Sequence, residues 1–205
     1  IYFQQCHKRP KEKDGIRAAF NSLADSGFIS KLEDMPIDVR HKVWNSPFLH
    51  YHPWRSVVKE DSVSTPVRLV VDPSMTSLNN HLAKGENVLL STPDILLRAR
   101  LSKLMWTSDI SKLYNRLRLH PDHYCYSLFL YHKDLDPKTQ PEIYVLVRAW
   151  YGVVSSGNQA AAALQKLVTA FGDDHSEARN VILKSTYVDD ICLLYTSPSP
   201  RDVNR

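Results

Sequence analysis

The sequence predicts an α+β fold with an antiparallel sheet. The predicted elements follow the order helix, strands, helix, strand, hairpin, helix, strand, which lacks the regular strand and helix alternation of a doubly wound parallel sheet. Residues 124–131 and 142–150 are aromatic and β-branched runs that flank a polar segment with prolines, a pattern typical of an antiparallel hairpin. With 43% hydrophobic and 23% charged residues, the chain has the composition of a globular protein with a buried core.

The first half of the chain predicts a helix, an irregular segment and a strand. Apolar residues that recur at i, i+3, i+4 and i+7 predict a helix over residues 12–25, with Gly27 as its stop: Ile16, Ala19, Phe20 and Leu23. Residues 45–61 are rich in aromatic residues and predict irregular structure. The apolar run at residues 67–71 predicts a short buried strand, and a turn is expected at Asp72-Pro73-Ser74.

A second helix and a strand are predicted in the middle of the chain. Thr92-Pro93-Asp94 combines a cap residue, a proline at the first helical position and an acid in the first turn, which predicts a helix continuing to Leu104. Residues 103–109 lose the helical period, and they predict a strand that ends at Asp109.

The last predicted elements are a helix and a strand. A helix is expected from Ser156 to a stop at Gly172, with one apolar face made of Leu164, Leu167, Val168 and Phe171. Residues 181–188 predict a strand that runs into Asp189 and Asp190.

Composition and charge exclude several classes of protein. The 205 residues carry a net charge of +4, which gives only weak support for a nucleic-acid partner. Cys6, Cys125 and Cys192 are widely spaced, so neither a disulfide framework nor a zinc ribbon is supported, and a reducing compartment fits best. Apolar runs are far shorter than the ~20 residues that span a bilayer, so no membrane partner is expected. Because the first residue is Ile1 and not Met, we expect a piece of a longer chain.

The last residues of the chain suggest a sequencing artefact. Codons for residues 192–202 (CLLYTSPSPRD) can be chosen to spell a common adapter used to build sequencing libraries. We therefore expect residues 192–205 to be adapter read-through, and the natural sequence to break off within a strand near Ile191. The alternative is a native tail rich in proline and serine.

Carboxylates at the ends of two predicted strands are the strongest candidates for chemistry. Asp109 ends one strand, and Asp189 and Asp190 follow another. Adjacent carboxylates repel one another, and a third nearby adds to the cost, so such a cluster is stable mainly when divalent cations neutralise it. Oxygen ligands favour Mg²⁺ or Mn²⁺, and Mg²⁺ between carboxylates and phosphates is the arrangement of two-metal phosphoryl transfer. An acidic pair alone is weak support, because Asp173-Asp174 is another such pair, which we expect in a solvated loop.

Several short strings occur in one order around these carboxylates. They are VVKEDS (57–62), TPVRLVVD (65–72), SLN (77–79), SDISKLYNRLRLHPDH (108–123), FLYH (129–132), YGVVSSGNQA (151–160) and YVDD (187–190). Together they resemble the reverse transcriptases of Bel-Pao type long-terminal-repeat retrotransposons, over roughly residues 54–191. The resemblance implies a right-hand polymerase whose antiparallel palm sheet packs on helices, and an RNA-directed DNA polymerase activity that adds dNTPs to a primer 3′-OH.

The resemblance implies catalytic and metal-binding roles for the acidic residues. Asp109 and Asp189 would bridge two Mg²⁺ or Mn²⁺ ions, and Ile110 would offer its backbone carbonyl to the second ion. Asp190 would tune the metal site. Two such ions would activate the attacking hydroxyl and stabilise the leaving oxygen.

The resemblance also implies a nucleotide site. Lys59 and Arg68 would contact the incoming triphosphate. The forked donors of an arginine guanidinium match phosphate oxygens, and a lysine adds a point charge. The alternative is that both residues belong to a solvated basic strand. Tyr114 would lie under the sugar and exclude a 2′-hydroxyl, or else be a core tyrosine. Gly152 would support the template base and the nucleotide through close backbone approach.

The chain departs from the family pattern at one helix start. The family usually has Ser-Pro where this chain has Ser156-Gly157. Glycine loosens a helix start, and this leaves open whether Gln159 or Asn158 contacts the nucleotide.

The resemblance implies a discontinuous domain layout. The fingers would comprise residues 1–100 and the 117–148 hairpin, and the palm would comprise residues 101–116 and 149–191. The expected partners are an RNA or DNA template-primer, dNTPs and the rest of a polyprotein with RNase H and integrase, in the cytoplasm and within virus-like particles. This piece without a thumb is expected to be inactive alone, because it cannot grip the duplex.

Two other functions are compatible with these residues. An RNA-dependent RNA polymerase shares the palm, although Tyr114 and the Tyr-Val lead into the acidic pair favour deoxynucleotide chemistry. A catalytically silent polymerase-like module that only binds nucleic acid is the other alternative, and the intact aspartates speak against it.

The histidines have loose metal-like spacing. His50-Tyr51-His52 and the 120–123 segment each hold two histidines, but no third ligand stands at a defined offset. We therefore expect loop histidines and no zinc site.

Overall fold

The computed structural model describes residues 10–59, 66–101, 104–136, 138–171 and 173–195. The expected helix stop at Gly172, the motif residues 60–65 and the tail 196–205 lie outside the described residues. The chain divides into two compact units, of which the first comprises Ile1–Leu82 with Arg118–Val153 and the second Ala83–Leu117 with Val154–Arg205. Their assignment to fingers and palm stays a prediction.

Helices and strands alternate irregularly along the chain. The helices are α1 (Pro10–Asp25), α2 (Ile37–Trp44), α3 (Leu78–His81), α4 (Thr92–Arg100), α5 (Leu113–Arg116), α6 (Ser156–Phe171) and α7 (Ser176–Ser185). The strands are β1 (Ile29–Lys31), β2 (Trp54–Val58), β3 (Val67–Val71), β4 (Leu104–Asp109), β5 (Leu128–His132), β6 (Pro141–Leu146), β7 (Thr186–Tyr187) and β8 (Asp190–Tyr195). No helix in the described part of the chain is both long enough and apolar enough to cross a bilayer.

The strands form three small antiparallel sheets, with orders β1-β6-β5, β2-β3 and β4-β8-β7. The first two sheets belong to the first unit and the third to the second unit. The mixed α and antiparallel β architecture confirms the predicted fold class at this level.

Helix α1 and the sheet β1-β6-β5 enclose the main core of the first unit. The predicted apolar face of α1 points inward, and Ile16 and Phe20 are 1% and 5% exposed. The Phe20 ring stacks on Tyr131 of β5 with centroids 3.7 Å apart and meets Tyr144 of β6 edge to face at 4.9 Å. Aromatic burial of this kind gives a small unit much of its stability.

The two-stranded sheet β2-β3 is stabilised by packing against this core. An isolated hairpin is marginal in water, and it needs a partner layer. Leu69 and Val71 of β3 lie in the same buried cluster as Phe20, and the Trp54 indole donates a hydrogen bond to the Leu130 carbonyl at 2.7 Å. The other face of the hairpin is exposed and carries Arg55, Val57 and Arg68.

In the second unit, helices pack on the sheet β4-β8-β7. Helices α4 and α7 contact β8, and α6 packs on α7. Ile95 of α4, Ala160 and Val168 of α6 are buried. The buried apolar residues that are described in this unit therefore belong to its helices.

The structure confirms several predicted elements. Helix α1, the glycine stop at Gly27 with its φ of +65°, strand β3 and helix α6 agree with the sequence. The predicted hairpin exists as β5 and β6, although it is shorter than expected. Its first four residues do not join the strand, because Pro121 starts a 3₁₀ helix that continues to Tyr126.

Other predictions are wrong. Most of the strand predicted at residues 181–188 is helix, because Ser176–Ser185 form α7, with Glu177 in its first turn and Lys184 in its last turn complementing the helix dipole. Only Thr186 and Tyr187 of that run are strand, as β7. The helix from Thr92 ends at Arg100 and not at Leu104, since Leu104 already pairs with β8. Residues 54–58, expected to be irregular, form β2 because they find a partner in β3.

His52 lies in a loop, as expected, but its side chain is buried. Its side chain is 4% exposed, its Nδ1 has no hydrogen-bond partner, and its ring lies 4.7 Å from that of His50. Burial, together with the nearby His50, lowers the pKa of His52 from 6.5 to about 4. The imidazole is therefore neutral in the folded protein at neutral pH.

We expect His52 to make folding stability depend on pH below neutrality. The folded pKa lies below the unfolded one, so protons bind the unfolded chain more tightly, and stability falls as the pH drops from 6.5 towards 4. The loss is up to about 3 kcal/mol, at ~1.4 kcal/mol per pKa unit. Urea unfolding at a series of pH values measures it. His52→Gln should flatten this part of the profile, and the exposed His81→Gln should not; an unchanged profile in His52→Gln contradicts the assignment.

Candidate metal centre

Strands β4 and β8 bring the predicted carboxylates to one end of a ladder. The antiparallel pairing runs from Leu104 opposite Tyr195 to Asp109 opposite Asp190. On the other edge of β8, Tyr187 of β7 also pairs with Asp190. The sequence places the acidic residues eighty positions apart, and strand pairing makes them neighbours.

The turn between β7 and β8 consists of Val188 and Asp189. Val188 has a φ of +57°, in the left-handed region that a β-branched residue rarely adopts. The Ile110 N–H donates a 2.7 Å hydrogen bond to the Asp189 carbonyl and ties the turn to the end of β4. Strained conformations of this kind persist where the surrounding structure over-determines them.

One carboxylate oxygen from each of Asp109, Asp189 and Asp190 lies within 4.8 Å of the others. Asp109 and Asp190 are exposed and Asp189 is half-buried. Three negative charges at this separation repel one another, and the hard oxygen donors are those that divalent cations prefer. Their exposure leaves room for water ligands, which Mg²⁺ retains. The triad can therefore bind a divalent metal ion.

Ile110 and Tyr114 lie beside the triad. The Ile110 carbonyl, expected to reach a metal ion, accepts a hydrogen bond from the Leu113 N–H at 3.2 Å, which leaves its second lone pair for another partner. Tyr114 of α5 is half-buried. Burial raises the pKa of its phenol, and the negative charge of Asp189 adds to the effect. The phenol therefore stays neutral next to the carboxylates.

Two polar residues just after Ser156-Gly157, Asn158 and Gln159, lie in different environments. Asn158 is buried, and its Nδ2 donates to the Lys84 carbonyl at 3.0 Å. Gln159 is exposed, and its Nε2 donates to the Ser155 hydroxyl at 3.1 Å. Of the two, Gln159 is the side chain available to a ligand, and Asn158 is structural.

The remaining predicted nucleotide residues lie in the first unit. Arg68 is exposed on β3 opposite Val57, and the exposed Lys59 follows β2, with its N–H bonded to the Pro66 carbonyl at 2.8 Å. Gly152 has a φ of +90°, and a Cβ there would lie 3.0 Å from Pro73 Cδ. Glycine is thus required at position 152 both by conformation and by space.

The structure therefore brings together the three aspartates with Ile110 and Tyr114, and it places Gln159 in the same unit. Sequence reasoning missed the left-handed Val188 and the bond between Ile110 and Asp189. A β-branched residue in a two-residue hairpin turn gives no local signal for φ > 0, since turns of this kind ordinarily show glycine or asparagine.

Comparison with solved structures shows a reverse-transcriptase-like fold. A crystal structure of the prototype foamy virus protease-reverse transcriptase, a selenomethionine-labelled CSH mutant, matches with a TM-score of 0.62 and 20% sequence identity. The match covers 92% of this chain and 20% of that chain, so the present chain spans about a fifth of its length. No protein-family model matches the sequence, and no curated protein matches it either.

We expect the triad to bind Mn²⁺, which serves as a paramagnetic probe of a divalent-cation site. Asp189→Asn removes one charged ligand and should weaken binding about tenfold or more, equivalent to ~1.4 kcal/mol. Titration calorimetry and electron paramagnetic resonance of free Mn²⁺ measure the affinity. Asp174→Asn, which removes an exposed carboxylate outside the triad, is the matched control. Equal Mn²⁺ affinity in the wild type and in Asp189→Asn contradicts a metal site.

Proposed function

We propose that this chain is the fingers and palm part of an RNA-directed DNA polymerase, from a retrotransposon of the Bel-Pao type. The observation that carries the proposal is the convergence of Asp109, Asp189 and Asp190 at one end of the β4-β8 ladder. The reverse-transcriptase-like fold supports it, and so do the motifs that follow one another along the sequence.

In this proposal Asp109 and Asp189 would provide the carboxylates that hold two Mg²⁺ ions at the primer terminus. The Ile110 carbonyl would provide a further oxygen, and Asp190 would tune the local charge. The bound ions supply activation of the primer 3′-hydroxyl and stabilisation of the leaving pyrophosphate. The left-handed Val188 turn and the hydrogen bond from Ile110 keep the Asp189 backbone fixed relative to β4.

The nucleotide contacts in this proposal follow the chemistry of each side chain. Lys59 and Arg68 contact the triphosphate, and Gly152 allows the backbone to approach the template base and the nucleotide. Tyr114 lies beside Asp189, and in this proposal its ring fills the space of a ribose 2′-hydroxyl. Gln159 is the polar side chain of the α6 start that faces solvent and can meet the nucleotide.

The parent protein in this proposal is a polyprotein with a thumb, an RNase H and an integrase, which acts in cytoplasmic virus-like particles. Its fingers comprise residues 1–100 and 117–148, and its palm comprises residues 101–116 and 149–191. Residues 192–205 are adapter read-through in this proposal. Residues 192–195 nonetheless continue β8, because they are apolar and pair with β4.

Primer extension tests the proposed activity. A polymerase that contains this chain together with a thumb should extend a DNA primer on RNA or DNA template with dNTPs and Mg²⁺. Asp109→Asn and Asp189→Asn should each lower the rate about a hundredfold or more, as expected when electrostatic stabilisation of the transition state is lost.

Asp174→Asn is the control for that experiment and should keep full activity. Full activity in Asp109→Asn or Asp189→Asn contradicts the assignment. Binding of primer-template without incorporation by the wild type favours the silent nucleic-acid-binding module.

Substitution of Tyr114 tests the choice of sugar. Tyr114→Val removes the ring that excludes the 2′-hydroxyl and should reduce the preference for dNTPs over rNTPs about tenfold or more, measured as a ratio of kcat/KM values. Tyr114→Phe keeps the bulk and should keep the preference. Unchanged discrimination in Tyr114→Val assigns the tyrosine to the core alone.

A further inference from the structure

Tyr151 caps an open edge of strand β3. In the described part of the chain, β3 pairs only with β2, which leaves its opposite edge without a strand partner. The Tyr151 hydroxyl donates a 2.8 Å hydrogen bond to the Leu69 carbonyl. This side-chain contact satisfies an acceptor of β3 next to Arg68, the residue that precedes Leu69.

Asn79 ties the residue after Tyr151 to the same region. The Asn79 Nδ2 of α3 donates to the Gly152 carbonyl at 2.9 Å. Gly152 lies against Pro73, which begins the 3₁₀ turn after β3. Two consecutive residues of one loop are thus each bound to the β3–α3 segment.

The segment between β3 and α3 is itself held by local hydrogen bonds. Asp72 accepts from the Ser74 N–H at 3.2 Å, and the Asp72 N–H donates to the Pro53 carbonyl at 3.0 Å. The contacts therefore close a ring from β3 through its turn to Asn79, on to Gly152 and Tyr151, and back to Leu69. A ring of this kind restricts each member more than a single bond does.

Tyr151 is suited to donate a permanent hydrogen bond. Its ring packs on the buried Trp150 with centroids 5.3 Å apart. Burial raises the pKa of the Tyr151 phenol, so the hydroxyl keeps its proton, while the charge of Arg68 is near enough to act in the opposite direction. The Tyr151 phenol and the Arg68 guanidinium are thus electrostatic neighbours.

We propose that Tyr151 and Asn79 are positioning residues that lock β3 to the Tyr151-Gly152 loop and so fix the direction in which Arg68 meets a nucleotide triphosphate. The inference rests on the proposed function, because it deepens the role given there to Arg68. One hydrogen bond joins Tyr151 to Leu69, the neighbour of Arg68, and the other joins Asn79 to Gly152. Arg68 and Gly152 therefore stand on backbone segments that are held together within the first unit.

Hydrogen exchange of β3 in the 205-residue chain tests the lock without any nucleotide. Tyr151→Phe and Asn79→Ala each remove one hydrogen bond and should speed amide exchange across residues 67–71 about fivefold. Tyr126→Phe and Asn80→Ala, substitutions of exposed residues in the same unit, should leave it unchanged. If the exchange rate of residues 67–71 stays at the wild-type value in either test variant, the lock is overturned.

Binding of dTTP with Mg²⁺ tests the consequence for Arg68. Each test variant should raise the Kd for dTTP about fivefold, and should raise it less than twofold when Arg68→Lys is already present, since a flexible lysine does not use the fixed direction. Equal losses in both backgrounds overturn the positioning role. A wild-type chain that does not bind dTTP counts against the proposed function, and the exchange experiment still decides whether the lock exists.

Discussion

The proximity of three carboxylates is the feature of the second unit that its backbone must hold against mutual repulsion. Oxygens of Asp109, Asp189 and Asp190 lie within 4.8 Å of one another, and side chains left free to move would separate. The backbone holds them together, because Asp109 and Asp190 are fixed by the last pair of the β4-β8 ladder and Asp189 by the hydrogen bond from Ile110. The helices behind the sheet make this arrangement possible, since they bury the apolar residues that stabilise the unit.

In the first unit, a two-stranded hairpin with an exposed basic face has to be stabilised. Its inner face enters the aromatic core around Phe20 and Tyr131, and its outer face presents Arg68. Packing holds the inner face of the hairpin, whereas Tyr151 bonds to the free edge of β3 and Asn79 bonds to the neighbouring Gly152. Core contacts and edge contacts thus supply this narrow sheet with partners that neighbouring strands supply in wider sheets.

Local patterns in the sequence predicted most of the elements whose signal is periodic or capped. Helix α1 shows a regular apolar stripe, and α6 ends where its stripe ends. The run Val181-Ile182-Leu183 is too short to distinguish strand from helix by periodicity, and the charges at Glu177 and Lys184 were the better signal. Strand β2 had no strong pattern of its own, because its structure comes from pairing with β3.

The acidic residues of the site could be chosen from the sequence, but their proximity could not be derived from spacing alone. Asp109 and Asp189 are brought together by pairing across eighty residues, and the resemblance to a polymerase family was needed to expect it. Contacts such as Tyr151 with Leu69 depend on the orientation of one side chain against a strand edge. No one-dimensional pattern encodes such a contact.

The two-residue connection between Tyr187 and Asp190 also limits how this region can diverge. Side chains alternate between the faces of a strand, so if β7 and β8 kept their pairing, deletion of one residue from the connection would place Ile191 where Asp190 now stands and remove an acid from the position opposite Asp109. Changes of side chain in the connection leave that alignment intact. The alignment of the three acids therefore depends more on the length of this connection than on the side chain at position 188.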